Sequence, residues 1–488
     1  MYDEIIGRVK EHAELKDIFH SNKPEFVAVC GRRRIGKTFL IRNYFRSKKC
    51  LYFEMMGLQN GLLKEQLENF TESLSEAFYD KMPIQTVKSW KEAFQRLTIV
   101  IEKQNPKIPI ILFFDELPWM ATKRSGLLAA LGYFWNKYWV NFKNIKLIIC
   151  GSSASWILKK IIHNKGGLHN RVTRQINLRP FSLKETKAYF NSMGLSLNDN
   201  QVLEAYMAVG GIPYYLNGFK KNASVNQNIN NLCFRQEGIL FDEFEKLFRS
   251  LFDKAEAYIE LLRLIAKKRY GISRFVLETQ STLSTKGGTL TERLKDLEDA
   301  GFILSFLPLW NKSRGIYYKV IDEFSLFYLT WIEPEKLTLI KMEEKNNFWV
   351  QKYKMPVWNT WAGLSFEAVC YKHIEAIRHA LHIPANSRAG VWRTLSHEDD
   401  ERGGAQIDLL FDREDDAITL CEIKYSAHPF VMNKEFLKSM INKKEVLIKS
   451  IHTKKQLLMA VIAPYGIKNN FYADDLDPGV VKLSDLMS

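Results

Sequence analysis

The chain of 488 residues is poor in the features that mark secreted, membrane-spanning or disordered proteins. Its six cysteines, Cys30, Cys50, Cys150, Cys233, Cys370 and Cys421, are scattered, with no Cys-x-x-Cys pair and no histidine at zinc-ligand spacing. That pattern excludes a zinc module or disulfide framework and indicates reduced thiols in a cytosol. No apolar run approaches the roughly 20 residues that cross a bilayer; the longest, such as Ile108 to Phe114, are of strand length. The opening Met1-Tyr2-Asp3-Glu4-Ile5-Ile6-Gly7 carries acids where a secretory signal needs a basic end, so a cytoplasmic chain with no membrane partner is expected. Prolines number only 14, and there is neither an internal repeat nor a low-complexity linker, which excludes a disordered or repetitive protein.

What the chain does have is a large supply of core-forming residues, 46% hydrophobic and 13% aromatic, over a length that calls for about three modules. Short apolar runs alternate with helical periods from residue 25: Phe26 to Cys30, a helix from Lys37, Leu51 to Phe53, Ile108 to Phe114, and Ile145 to Cys150. Near-continuous apolar strands between helices predict an α/β domain with a parallel sheet covered on both faces. This domain, with a helical lid, is expected over residues 1–235. Over 245–335 the period becomes helical and then turns into a hairpin, with Gly301 where a helix should stop; three helices and a hairpin predict a winged helix. A helical connector (336–362) and a second α/β segment (363–488) complete the chain.

The segment Gly31-Arg32-Arg33-Arg34-Ile35-Gly36-Lys37-Thr38 fits the phosphate-loop pattern G-x-x-x-x-G-K-[ST], after an apolar strand and before a helix. In that setting backbone N–H groups close around phosphates, the helix N-terminus adds its dipole, Lys37 reaches the β and γ phosphates, and Thr38 holds Mg²⁺. Phe39 follows in the first turn. The strand Ile110 to Phe114 ends in Asp115-Glu116, where a carboxylate points into the crevice used by ligands of such sheets. Asp115 is expected to hold the metal's water shell and Glu116 to orient the attacking water; the alternative is an acidic turn in solvent. Ser152 and Ser153, at the end of a third strand, either sense the γ-phosphate or cap a helix.

These residues, together with Ile6-Gly7-Arg8, Leu178-Arg-Pro-Phe-Ser182 and Gly210-Gly-Ile-Pro-Tyr214, resemble the AAA+-related ATPases described mainly from archaea, within the STAND-like branch. The resemblance covers about residues 1–220. It implies an ATP-hydrolysing core in which Pro213 of the Gly-x-Pro segment contacts nucleotide from the lid. It also places Arg171, in His169-Asn-Arg-Val-Thr173, where related ATPases carry an arginine finger, which raises a homo-oligomer or a protein partner as an expectation.

Near the C-terminus, residues 406–411 and 417–425 flank the polar turn Asp412 to Asp416. If the turn closes a hairpin with Phe411 opposite Ala417, Asp408 stands opposite Leu420, and alternation puts Asp408, Glu422 and Lys424 on one face. Two carboxylates and a lysine can hold Mg²⁺ or Mn²⁺, polarise a phosphodiester and activate water; a solvated face of alternating charge is the other reading. Glu367 is a candidate further acid. The arrangement resembles the PD-(D/E)XK nucleases, which implies a restriction-endonuclease-like α/β domain acting on nucleic acid, although some fused domains of this type only bind.

The winged helix is a poor candidate for reading DNA. Its third helix, Thr289 to Ala300, carries two basic residues and four acidic ones, and a groove-binding helix should not be net acidic. Lys312 and Arg314 on the wing are placed to touch phosphate, interdomain packing is the favoured reading of the module, and Lys267-Lys-Arg269 reads as a solvated helix end.

The formal charge of +15 makes a polyanion, DNA first, the expected partner beside ATP. The excess lies almost wholly in residues 1–200, which carry +14, and residues 31–50 hold eight basic side chains and no acid. The expected function is an ATP-driven switch coupled to a metal-dependent nuclease in DNA processing or defence. The alternative is a nucleotide-dependent regulator that binds DNA or protein without cutting.

Overall fold

The computed structural model describes all residues except 1–3, 123, 153, 163–165, 169, 269–270, 284–285, 311–314, 342–346, 354 and 394–404. Ser153, His169, Arg269, Lys312 and Arg314 therefore lie outside the described residues. The chain forms two compact units, Met1–Pro180 and Phe181–Ser488.

The first unit is built on a parallel sheet. Strands β1 (Glu25–Cys30), β2 (Leu51–Met56), β3 (Ile110–Asp115), β4 (Ile145–Gly151) and β5 (Arg174–Asn177) run in the order β2-β3-β4-β1-β5, with every pairing parallel. β1, β3 and β4 are buried at every position, as strands covered on both faces must be. Helices α1 (Val9–His20) and α2 (Lys37–Arg46) bracket β1 in sequence. The core is heavily aromatic: Phe53, Phe70, Phe94, Phe114, Trp135 and Trp139 are all buried, with ring pairs such as Phe94–Trp139 in edge contact.

The second unit contains the helices Leu183–Ser192, Asp199–Val209 and Val225–Cys233, which the sequence groups with the ATPase as its lid. Here they belong to the downstream body: Leu183 N donates to His373 Nε2 (3.1 Å), Ser365 Oγ to Met207 O (3.0 Å), and Trp349 N to Asn230 Oδ1 (2.9 Å). The boundary between compact units falls at Pro180/Phe181, within the span expected for the ATPase with its lid. Sequence periodicity reports helices well, but which body a helix packs on is a tertiary matter.

Three helices, Ala255–Ala266, Arg274–Gln280 and Gly287–Asp299, accompany a small antiparallel sheet of β6 (Ile272–Ser273), β8 (Tyr317–Val320) and β7 (Ile303–Phe306). The acidic third helix uses its charges internally. Asp296 accepts from Tyr258 Oη (2.9 Å), and Glu298 accepts from Ser305 N (2.9 Å).

The last sheet has the order β13-β12-β11-β10-β9, from β9 (Arg388–Arg393), β10 (Gln406–Asp412), β11 (Ala417–Ile423), β12 (Gln456–Ile462) and β13 (Gly479–Val481). β10 runs antiparallel to both β9 and β11, and β12 and β13 continue parallel to β11. The β10–β11 hairpin departs from the expected register. Phe411 pairs with Thr419 rather than Ala417, because Arg413 N closes on Ala417 O (3.0 Å) around a three-residue loop whose last member, Asp416, has φ of 61°. Three-residue hairpin loops end in such a left-handed residue, and Asp accepts that conformation more readily than most. Continuing the register sets Asp408 opposite Glu422 instead of Leu420. A shift of two residues preserves side-chain parity, so the expected face survives the correction.

Candidate functional site

The phosphate loop runs from the buried end of β1 into α2. Gly31 has φ of +150°, and a Cβ there would stand 2.4 Å from Ile35 Cδ1 and 2.5 Å from Leu178 O, so only glycine lets the chain leave the strand so close to both. Arg34 (φ 73°) and Gly36 (φ 88°) take left-handed conformations, the kind of alternation that turns successive N–H groups inward to form an anion-binding nest. Arg32 and Ile35 are buried, Arg33 is half-buried, and Phe39 is exposed on the first turn of α2.

Lys37 is buried and its Nζ donates to Gly31 O (2.9 Å) and Arg32 O (3.0 Å), so the ammonium folds back across its own loop. The Thr38 hydroxyl donates to Asp115 Oδ2 at 2.6 Å, and Asp115 Oδ1 accepts from Glu116 N at 3.1 Å. Asp115 is fully buried at the end of β3. A hydroxyl and a carboxylate meeting beside a glycine loop are the donor set that Mg²⁺ of a nucleotide requires, and the residues present fit that ion.

Glu116 adopts φ of 50° and opens a short helix with Pro118 in its first turn. Its Oε2 accepts from both Ser152 N (2.9 Å) and Ser152 Oγ (3.0 Å). The two strand ends are therefore tied together by the acid that sequence assigns to water and the serine that it assigns to phosphate. Arg171 is exposed in a turn and makes no ion pair among the described residues.

Sequence reasoning passed over Arg8 as a working residue. It is buried, with φ of 56°, and its guanidinium donates to Ile35 O (3.1 Å) inside the loop and to Arg179 O (2.6 Å) beyond β5. The loop is thus braced from behind by a cation. Arg8 within Ile6-Gly7-Arg8 was visible as a motif, but its target is 27 residues downstream and leaves no local trace.

Pro213 belongs to the second unit, where it opens the short helix Pro213–Leu216. The glycines before it have packing reasons. A Cβ on Gly211 would stand 2.0 Å from Phe181 O, and Gly210 (φ 67°) would meet Glu323 Oε2 at 2.9 Å.

At the hairpin, Glu422 is buried, and both of its oxygens are occupied by lysines: Lys443 Nζ at 2.6 Å from Oε2 and Lys424 Nζ at 2.9 Å from Oε1. These two cations hold its carboxyl below the usual range against the opposing effect of burial, which is the largest single influence. Asp408 Oδ2 accepts from Ile423 N (3.3 Å). Its carboxyl is pushed up to about 7, first by burial and then by the nearby charges of Glu422 and Glu367. Glu367 is buried on the helix Pro356–Lys372, ion-paired to Lys319 of β8 and accepting from Tyr371 Oη (3.0 Å). Tyr371 Oη also donates to Asp408 O (2.8 Å), tying that helix to the hairpin.

Asp408, Glu422 and Lys424 therefore come together, with Glu367 close enough to be felt electrostatically. Among the described residues no group of three or more His, Cys, Asp or Glu side chains is placed to hold a metal ion. Lys319 and Lys443, which the sequence did not single out, pair with Glu367 and Glu422. A second ion pair joins the same segments, with Lys372 Nζ 2.5 Å from Glu323 Oε2.

No described helix is long and apolar enough to cross a membrane. An uncharacterized protein of Methanocaldococcus jannaschii is 26% identical over 424 residues, covering 86% of this chain and 87% of that one. Among solved structures, the Walker-type ATPase of Pyrococcus abyssi shares 19% identity with a TM-score of 0.48, covering 67% of this chain and 96% of that chain. The ORC2 protein of Aeropyrum pernix shares 15% with a TM-score of 0.41, covering 70% and 96%. A family model described as an ATPase domain predominantly from Archaea matches residues 5–219. With the loop, the paired Thr38 and Asp115, and the parallel sheet that carries them, residues 5–219 are an ATPase domain of that archaeal type.

Proposed function

We propose that the chain is an ATP-driven switch in which the nucleotide site of the first unit governs the state of the second. The observation that carries this reading is the 2.6 Å contact of Thr38 with Asp115 at the mouth of the phosphate loop. Mg²⁺-ATP, when bound, supplies the phosphoanhydride and the charge that neutralises it. The chain's own residues do the rest. The loop amides and Lys37 take the phosphates, Lys37 exchanging its two carbonyl partners for phosphate oxygens, while Thr38 and Asp115 hold the ion. Glu116 is the group placed to orient water, and it must exchange Ser152 for that water to do so. Arg8 keeps the loop in its binding shape, Pro213 is the lid contact that the resemblance implies, and Arg171 is free to meet a neighbouring molecule.

Lys37→Ala should abolish nucleotide binding and turnover. Glu116→Gln should keep binding while kcat falls by about 100-fold or more. Wild-type turnover in Lys37→Ala would sink the reading.

A second reading adds cleavage of DNA at Asp408, Glu422 and Lys424. It is favoured by Asp408, raised to about 7 first by burial and then by the neighbouring carboxylates, whose repulsion a divalent cation relieves. Lys443 and Lys319 pair with Glu422 and Glu367, so cleavage requires those lysines to move. Incubation with plasmid, Mg²⁺ or Mn²⁺ and ATP separates the two. Nicking that disappears in Asp408→Ala establishes the nuclease, and intact plasmid under every condition leaves the switch.

A further inference from the structure

The positive excess of the first unit has one concentrated outlet away from the phosphate loop. A cleft of about 550 Å³ lies between α1 and the C-terminal half of α2, walled by His12, Lys16 and His20 on one side and by Asn43, Ser47 and Lys48 on the other. Its size is that of a ligand site. No residue of Gly31 to Thr38 lines it, nor do Asp115 or Glu116. Asn43 to Ser47 lie about 9 to 15 Å from Lys37 along the helix, so this is a separate place from the nucleotide site.

Its walls are built for a row of anions. His12, Lys16 and His20 stand four residues apart on α1, a repeat of about 6 Å along one helix face. Tyr44, buried between the walls, organises both: the His12 ring meets it edge-on at 5.4 Å, and Lys48 Nζ lies 5.2 Å from its centroid. His12 Nε2 is buried and has no hydrogen-bond partner among the described residues. His20 commits Nδ1 to Lys16 O (2.8 Å), which leaves its Nε2 for another partner.

The lysines are also uncommitted. Arg42 and Arg46, on the same helix, are both engaged by Glu54, whereas Lys16 and Lys48 make no ion pair among the described residues. Glu4 is the only carboxylate in the lining. Lysine side chains are common phosphate contacts; Asn43 and Ser47 already donate to Phe39 O (3.0 Å) and Tyr44 O (2.8 Å), so the two lysines and two histidines carry the site.

We propose that the α1–α2 cleft binds a linear run of phosphates, the backbone of a nucleic-acid strand, independently of the phosphate loop. The site holds backbone rather than base, because Tyr44 is buried beneath His12 and Lys48 and offers no stacking face.

The test uses the full chain saturated with Mg²⁺-ADP, so that the phosphate loop is filled, and two probes: labelled oligothymidylate and inorganic tripolyphosphate. Lys16→Glu/Lys48→Glu should weaken oligothymidylate binding by about tenfold or more and lower the slope of log K against log salt by about 1.4, two single-strand phosphate contacts. Lys103→Glu/Lys107→Glu, the same charge change at exposed sites elsewhere in the unit, should leave binding within about twofold. If the charge-reversed pair does not fold, Lys16→Gln/Lys48→Gln serves the same comparison. Loss confined to tripolyphosphate would support the site and assign it to free polyphosphate. Failure of both probes to bind, or equal weakening by Lys103→Glu/Lys107→Glu, would overturn the proposal.

Discussion

Ser152 holds Glu116 twice, through its amide at 2.9 Å and its hydroxyl at 3.0 Å, both on Oε2. A water-orienting carboxylate held in this way is parked. Ser152→Ala keeps the amide bond and loses the hydroxyl bond, a change of about 1 kcal/mol. Steady-state ATP hydrolysis should therefore rise by up to about fivefold with KM unchanged. A fall in kcat would mean that Ser152 holds Glu116 in its working position.

The pair Lys319–Glu367 is buried at both ends. Lys319→Met leaves an uncompensated carboxylate in the interior and should cost about 3 to 5 kcal/mol in urea unfolding, whereas Lys319→Met with Glu367→Met should recover most of that loss. Additive losses in the double variant would show that the two charges do not answer each other.

His373 predicts an acid-sensitive second unit. Val369 O can only accept, so Nδ1 carries the proton (2.8 Å), and Leu183 N–H requires a bare Nε2 (3.1 Å). Burial, the largest influence, lowers the imidazole below its ordinary 6.5. The unfolded chain therefore takes up a proton that the folded one refuses, and stability present above pH 6.5 falls as pH drops through that window, by up to about 1.4 kcal/mol per unit. In denaturation between pH 7.5 and 5.5, His373→Gln should lose more of its stability at the upper pH and show a flatter profile than wild type. Parallel profiles would remove His373 as the cause.

Two glycines should respond in opposite directions to the same methyl group. Gly211→Ala drives Cβ into Phe181 O and should cost about 1 to 3 kcal/mol. Gly363→Ala, within the helix Pro356–Lys372 and with nothing within 4 Å of its Cβ, should stabilise by about 0.5 to 1 kcal/mol. Thermal unfolding of the two variants checks both signs.

The phosphate loop was legible because strand, turn and helix are contiguous, so Gly31, Lys37, Thr38 and their neighbours announce one another. The pair Asp115-Glu116 was legible because it ends an apolar run. Their partners were not: nothing local ties Ser152 to Glu116 or Arg8 to Ile35, since the chain meets itself there only after the sheet is assembled. The hairpin face followed from parity alone, while its register depended on the left-handed Asp416, which alternation does not encode. Lys443 and Lys319 stand 21 and 48 residues from the acids they neutralise, and no spacing rule reaches so far.

The two ion pairs between the segment Lys319 to Glu323, from β8 onward, and the helix Pro356–Lys372 run with opposite polarity, Lys319 to Glu367 and Glu323 to Lys372. Each segment thus reads plus and minus in an order that only one alignment satisfies. Sliding the helix by a turn would separate both pairs and draw like charges toward one another in a site that excludes water. Tyr371, one residue before Lys372, carries that alignment to the carboxylate hairpin. The acids at Asp408 and Glu422 consequently move with the small sheet as a coded assembly, and a signal that shifts one segment must shift the other or pay in buried charge.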